Sequence, residues 1–192
     1  MSRKFAGPSA DQKPAPSKET LQDKALLGEE VFLDCAKQYF IRYYPEAVKK
    51  TPDRFSKIAL LYRTRIRTFR ELFEQADFFF EEDISFDPKA VDKYLKDDSA
   101  RKLLKEWRAT LTSKGDFTNP AALEDLLRKS VEQLGVDARM LIHPTRVAIS
   151  GRTVTPGLFE TMAILGRETV LKRLSYVTDH FSDITLKEGT ST

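Results

Sequence analysis

Four residues with short polar side chains stand directly before a proline in this chain, and they are Thr51, Asp87, Asn119 and Thr155. A Thr, Asp or Asn side chain can cap the free N–H groups of a helix's first turn. Proline fits the first helical position because its missing N–H would have no partner there. Apolar residues follow each pair at three- and four-residue spacing, which predicts a helix every time. We therefore expect an all-α fold with short joints, in which residues 147–149 form the one strand-like run.

The same signals suggest how the chain is divided. The first twenty or so residues mix proline with Ser, Ala, Lys and Gln, a composition that cannot bury enough apolar surface to order itself. A turn near Gly115 suggests a joint between two packed parts. We expect a disordered leader or linker, two helical subdomains and a flexible tail, with bounds 1–22, 23–114, 115–180 and 181–192.

Composition excludes several classes of protein. The net charge of +3 over 192 residues is too small to indicate nucleic acid by itself. The single cysteine, Cys35, rules out an internal disulfide, and its apolar neighbours predict a buried thiol. No apolar stretch reaches the roughly 20 residues that span a bilayer, and no secretory signal is present. We expect a cytoplasmic protein with no membrane partner.

The most basic segment of the chain alternates Arg63, Arg65 and Arg67. One continuous helix would scatter these arginines around its circumference, so a break fits better. Thr68 followed by Glu71 is the capping-box signature of a new helix. Guanidinium groups gathered at such a joint suit phosphates and unstacked bases. The alternative is a solvated joint held by Arg–Glu pairs.

Catalytic and metal-binding signals are missing. His143 and His180 have no acid or nucleophile at an informative spacing, and no phosphate-binding loop, HExxH or CxxC motif is present. Neither a HIGH-like nor a KMSK-like segment occurs. We expect no catalytic residue, no cofactor and no metal site, and a small enzyme is the least favoured interpretation.

The stretch from residue 146 to residue 174 carries a resemblance. Its pattern, RVAxxGxxxTPGLFExxAxLGxExxLxRL, resembles the C-terminal end of bacterial-type glutamyl-tRNA synthetase, in the anticodon-binding region. The segment LYRTRIRTFRELFEQADFFFEED matches the same family next best. The resemblance covers roughly residues 31–174 and implies a two-part, all-α superhelical cage. The catalytic body of that family is absent here, so we expect a C-terminal fragment or a stand-alone relative.

The resemblance also implies roles for individual residues. A family arginine at the position of Arg65 reads the third anticodon base, which separates glutamate tRNA from glutamine tRNA. Residues at the positions of Thr155, Pro156 and Leu158 contact the other anticodon bases. By the same argument three arginines would bind phosphates, namely Arg63, Arg67 and Arg152.

Two functions stay open at this point. The first is a module that binds the anticodon of glutamate tRNA, together with a synthetase catalytic body as a further possible partner. The second is a helical scaffold or regulatory module that docks on a synthetase without binding RNA. Retention of both the arginine cluster and the Thr155–Leu158 segment counts against the second.

Overall fold

The computed structural model describes residues 28–180 and residue 184, and every regular element within residues 28–180 is a helix. The expected all-α fold is confirmed. The leader expected at residues 1–22 and most of the tail expected at residues 181–192 lie outside the described residues. Among the helices that are described, none combines the length and apolar character needed to cross a bilayer.

Two compact units divide the chain, one ending at Asp83 and the other beginning at Ile84. In the first unit the elements are α1 (Glu29–Tyr43), α2 (Pro45–Lys50), α3 (Phe55–Tyr62), α4 (Phe69–Ala76) and a 3₁₀ turn (Asp77–Phe79). In the second they are α5 (Pro88–Tyr94), α6 (Asp98–Lys114), α7 (Pro120–Leu134), α8 (Arg139–Ser150), α9 (Leu158–Leu165) and α10 (Arg167–Asp179).

The core of the first unit forms along one face of α1. Phe32, Ala36 and Phe40 recur every four residues and are fully buried, because this spacing places them on one side of the helix. Helices α2, α3 and α4 pack against α1. The Tyr62 hydroxyl donates to the Gln75 carbonyl at 2.8 Å, which ties the end of α3 to the end of α4.

In the second unit the core lies where α6, α8 and α10 pack together. Leu104, Trp107 and Leu111 face inward from α6 at helical spacing. Arg173, although charged, is buried on α10 and donates to the Ile149 carbonyl at 2.6 Å. That hydrogen bond fixes α10 against the C-terminal end of α8.

The division between the units comes earlier in the chain than the joint we expected near residue 114. Helix α6 lies before that expected joint, yet it packs mainly on α8 and α10, which lie after it. The Lys114–Gly115 turn is thus a bend inside the second unit. Turn residues identify where a helix ends, but they do not show which helices then share a core.

The expected strand-like run at residues 147–149 is wrong, because these residues belong to helix α8. All three are fully buried, so the unbroken apolar run reflects a helix segment enclosed on several sides. His143 also lies within α8, directly before Pro144. A short apolar run does not distinguish a buried helix from a buried strand.

Two of the four predicted proline-linked caps form as expected. Asp87 accepts a hydrogen bond from the Lys89 amide at 3.0 Å, and Asn119 accepts one from the Ala121 amide, also at 3.0 Å. Thr51 does not cap α3, since its hydroxyl donates to the Ala47 carbonyl and α3 begins only at Phe55.

Cys35 is exposed, which contradicts the buried thiol we expected. The buried face of α1 contains Ala36. Cys35 precedes Ala36 and is therefore rotated by about 100° around the helix axis, away from that face. An apolar neighbourhood in sequence therefore placed Cys35 on the wrong face.

The pairing of Asp179 with Arg108 predicts a pH-dependent stability. Hydrogen bonds from Arg108, then from Ser175 and Thr178, lower the pKa of Asp179 to about 2. Because that pKa lies below the unfolded value of about 3.9, the ionised carboxylate stabilises the fold above about pH 4, and this contribution is lost as the pH falls towards 2.

We expect Asp179→Asn to lower the urea midpoint at pH 7 and to differ less from wild type near pH 3. The exposed Asp125→Asn serves as control, and a pH-independent difference would contradict the pairing.

Candidate nucleic-acid interface

The arginine joint, residues 63–67, connects α3 to α4 in the first unit. Ile66 is fully buried and anchors the joint in the core. Its neighbours Arg65 and Arg67 are both exposed, and Arg63 is half-buried with its guanidinium 5.8 Å from the centre of the Phe32 ring. The predicted break in the helix is therefore present, and it presents two arginines to solvent on either side of one apolar anchor.

Backbone hydrogen bonds hold the joint in place. The amides of Arg65 and Ile66 both donate to the Tyr62 carbonyl, at 2.8 Å and 3.2 Å. Thr68 caps α4 by accepting from the Glu71 amide at 3.1 Å, as the capping box predicts. The Glu71 carboxylate accepts from the backbone amide of Arg67 at 2.6 Å. Thr68 is thus the cap of α4, and the Glu71 carboxylate orders the backbone at Arg67.

In the second unit the clasped turn, residues 151–157, joins α8 to α9. The Arg146 guanidinium donates to the Thr155 hydroxyl and to the Pro156 carbonyl, the latter at 2.8 Å. The Ser150 hydroxyl donates to the Arg146 carbonyl at 2.7 Å and accepts from the Arg152 amide at 3.3 Å. The turn is therefore fixed from α8 at both of its ends.

The start of α9 differs from the prediction at Thr155. The helix begins at Leu158 and Gly157 occupies the cap position, so Thr155 does not cap it. Instead the half-buried Thr155 hydroxyl bonds to Arg146 and to the Pro156 carbonyl. The partner of the Thr155 hydroxyl is thus Arg146 on α8, and the sequence around Thr155-Pro156 does not reveal this contact.

Exposure separates the side chains of this turn. Leu158 is only 4% exposed and Pro156 is buried, so neither side chain offers a free apolar face. Val154 is 79% exposed, and Arg152 is half-buried. A base that meets this turn would contact Val154, Thr155 and the backbone, while Leu158 supports the turn from beneath.

Gly151 ends α8 in a left-handed conformation, with φ of 76°. A Cβ at this position would overlap the backbone carbonyl of Ser85, which lies in the same unit. The Gly151 carbonyl accepts from the Asp87 amide at 2.7 Å. Close backbone approach thus joins the clasped turn to the segment that precedes α5.

Gly151→Ala is expected to destabilise the second unit by more than about 2 kcal/mol, because it adds a backbone clash to an unfavourable φ. Gly135→Ala is the matched control, since Gly135 also has a positive φ, of 64°, but open space around its Cα. That control should cost about 1 kcal/mol. Urea unfolding measures the free energy of unfolding of both variants. Equal losses would show that the backbone at Ser85 can move to make room for the added Cβ.

A basic and aromatic surface lies along α8 that no motif in the sequence indicated. His143 stacks on Tyr94 of α5, with ring centres 4.9 Å apart and an interplanar angle of 21°. Burial lowers the pKa of His143, and the nearby charges of Arg146, Lys93 and Arg139 lower it further. Arg139, His143 and Arg146 have helical spacing, which is the one signal in the sequence that connects them.

Metal chemistry finds no support in the described part of the chain. Across residues 28–180 no group of three histidine, cysteine or carboxylate side chains is placed to hold a metal ion. The Glu81–Asp83 acids, adjacent in sequence, are not part of any such group.

The comparison with protein families decides what kind of domain this is. The sequence profile of the Anticodon binding domain family matches residues 31–178, which is most of the chain. The chain belongs to this family. The resemblance seen in the arginine and TPGLF segments is thereby confirmed, and the anticodon binding domain described here contains both units.

Curated relatives of this anticodon binding domain are larger proteins. The glutamate–tRNA ligase 1 of Syntrophomonas wolfei is 39% identical over 133 residues, which cover 69% of this chain and 27% of that protein. The glutamate–tRNA ligase of Moorella thermoacetica is 43% identical over 112 residues, or 58% of this chain and 23% of that protein. The domain thus spans about a quarter of the length of these relatives.

Solved structures agree on the fold. The glutamate tRNA ligase of Elizabethkingia meningosepticum, solved in complex with its amino acid, superposes with a TM-score of 0.73 at 21% identity. The superposition covers 83% of this chain and 31% of that one. The all-helical anticodon binding domain fold is therefore shared with a larger enzyme.

Proposed function

We propose that this chain binds the anticodon of glutamate tRNA, as the tRNA-recognising part of a glutamate–tRNA ligase that works in the cytoplasm. The observation that carries the proposal is the arginine joint, where a buried Ile66 holds Arg65 and Arg67 in exposed positions. Membership of the anticodon binding domain family and the ligase relatives support the choice of RNA.

Arg65 is the residue we assign to base reading in the first unit. Its guanidinium carries five N–H donors in a rigid fork and accepts no hydrogen bond. Cytosine presents two adjacent acceptors on its pairing edge, whereas guanine presents donors there beside its oxygen. Glutamate and glutamine anticodons differ by cytosine against guanine at the third position. An arginine fork therefore favours the glutamate anticodon, provided that the base is unstacked.

Phosphate binding is the role we assign to Arg63, Arg67 and Arg152. Contacts to phosphates position an RNA but carry no base information. In the second unit the clasped turn supplies the remaining contacts to bases, through Thr155 and the backbone around Pro156 and Leu158. The catalytic body of a ligase is the protein partner we propose, because the curated relatives extend well beyond the matched region.

The scaffold alternative requires that the fold has survived without its RNA contacts. The anchoring of the arginine joint by Ile66 and of the clasped turn by Arg146 argues against this alternative. A scaffold that binds no RNA would not need either segment to be held in place.

A binding titration tests the proposal. Fluorescence anisotropy with labelled glutamate tRNA should give saturable binding, and exchange of the third anticodon base from cytosine to guanine should weaken it. Equal affinity for both transcripts would reject base reading. Co-purification with a synthetase and no RNA binding would favour the scaffold.

A further inference from the structure

An aromatic ladder runs from the arginine joint to the end of α1 within the first unit. The Phe69 ring, which follows the joint, lies 5.6 Å from Phe32 and 5.7 Å from Tyr39, measured between ring centres. Tyr39 lies 4.7 Å from Tyr43 in turn. Ring-to-ring contact therefore connects Phe69, the first residue of α4 after the arginine joint, with Tyr43, the last residue of α1.

Burial changes along this ladder. Phe32 is completely buried, whereas Phe69, Tyr39 and Tyr43 are only half-buried. Packing fixes one side of each outer ring and leaves part of it to solvent. Burial also raises the pKa of Tyr39 to about 12. Aromatic rings that are fixed by packing and partly exposed form a surface on which an unstacked base can stack.

Cations accompany the exposed end of the ladder. The Arg42 guanidinium lies 5.5 Å from the centre of the Tyr43 ring, and Arg42 is exposed. Arg70 lies near Tyr39 and is paired with Glu74 at 2.9 Å, so it is already partly neutralised. Arg42 is thus the cation on this flank best placed for a phosphate.

We propose that Tyr39, Tyr43 and Arg42, here called the tyrosine flank, bind the nucleotide next to the one that Arg65 reads. The base stacks on the Tyr43 and Tyr39 rings, and Arg42 contacts its phosphate. This assignment rests on the proposed function and adds to it a second, sequence-tolerant contact in the same unit. The aromatic residues of α1 thus have two roles. Phe32 and Phe40 lie in the core, whereas Tyr39 and Tyr43 lie at its edge and are partly exposed.

Tyr43→Ala tests the stacking contact in the full chain with glutamate tRNA. Loss of a stacking ring should raise the Kd about tenfold, while Tyr43→Phe, which keeps the ring, should stay within about twofold of wild type. Tyr176→Ala, at a half-buried tyrosine of α10, is the matched control and should leave the Kd unchanged. Fluorescence of 2-aminopurine in the anticodon loop gives a direct readout, since stacking on wild type should quench it and Tyr43→Ala should restore it.

Arg42→Glu repeats the test at an exposed position and reverses the charge beside the Tyr43 ring, so it should also weaken binding. An unchanged Kd for both Tyr43→Ala and Arg42→Glu, in an assay where Arg65→Ala loses discrimination, overturns the tyrosine flank and leaves the proposed function standing. Failure of the wild-type chain to bind glutamate tRNA overturns the proposed function and this inference with it.

Discussion

Arg65→Ala is expected to remove most of the preference for cytosine over guanine at the third anticodon position. A bidentate arginine–base contact is worth about 1–3 kcal/mol of discrimination, which corresponds to about 5- to 150-fold in the ratio of Kd values. The side chain is exposed while its backbone is bonded to Tyr62, so the substitution should leave the fold intact. Anisotropy titrations with the two transcripts measure the ratio directly.

Arg65→Lys separates the fork from the charge. Lysine keeps the positive charge but presents a flexible ammonium in place of a planar pair of donors. We therefore expect the phosphate contacts of the other arginines to be retained while the discrimination between the two transcripts is lost. If Arg65→Lys and wild type discriminate equally, the fork geometry has no role. If Arg65→Ala also discriminates as wild type does, the base-reading assignment to Arg65 is wrong.

The affinity for tRNA is expected to fall steeply with salt. The three phosphate contacts assigned to Arg63, Arg67 and Arg152 release counterions with a slope of about −0.7 each for unpaired strands, so on their account raising salt from about 50 to about 200 mM should weaken binding roughly 18-fold. Arg67→Ala should lower the slope by about 0.7 and should weaken binding of both transcripts by the same factor.

Arg67→Ala and Arg65→Ala form a matched pair, because both side chains are exposed and both flank the buried Ile66. The first should change affinity without changing discrimination, and the second should change discrimination. A salt slope that is identical for Arg67→Ala and wild type would contradict the phosphate role.

The features that the sequence predicted well are those that depend on a few adjacent residues. The caps at Asp87 and Asn119 form as predicted, as does the pairing of Thr68 with Glu71. Each joins a side chain to an amide two or three residues away, so the partners are fixed by the chain itself.

Features that depend on distant packing were predicted poorly. The partner of Thr155 is Arg146, nine residues back on α8, and α9 begins only at Leu158. Burial of Leu158 and exposure of Val154 follow from how that turn sits on the core. Cys35 was misplaced for the same reason, since a neighbourhood in sequence does not define a helix face.

The most direct test of the central assignment maps the RNA contact onto the chain by NMR. The backbone amides of the isotope-labelled full chain would be followed while an anticodon stem-loop of glutamate tRNA is added. We expect the largest shifts at residues 63–67 and at residues 151–158. Shifts confined to α6 and α7, or none at saturating RNA, would contradict the assignment of both segments to anticodon binding.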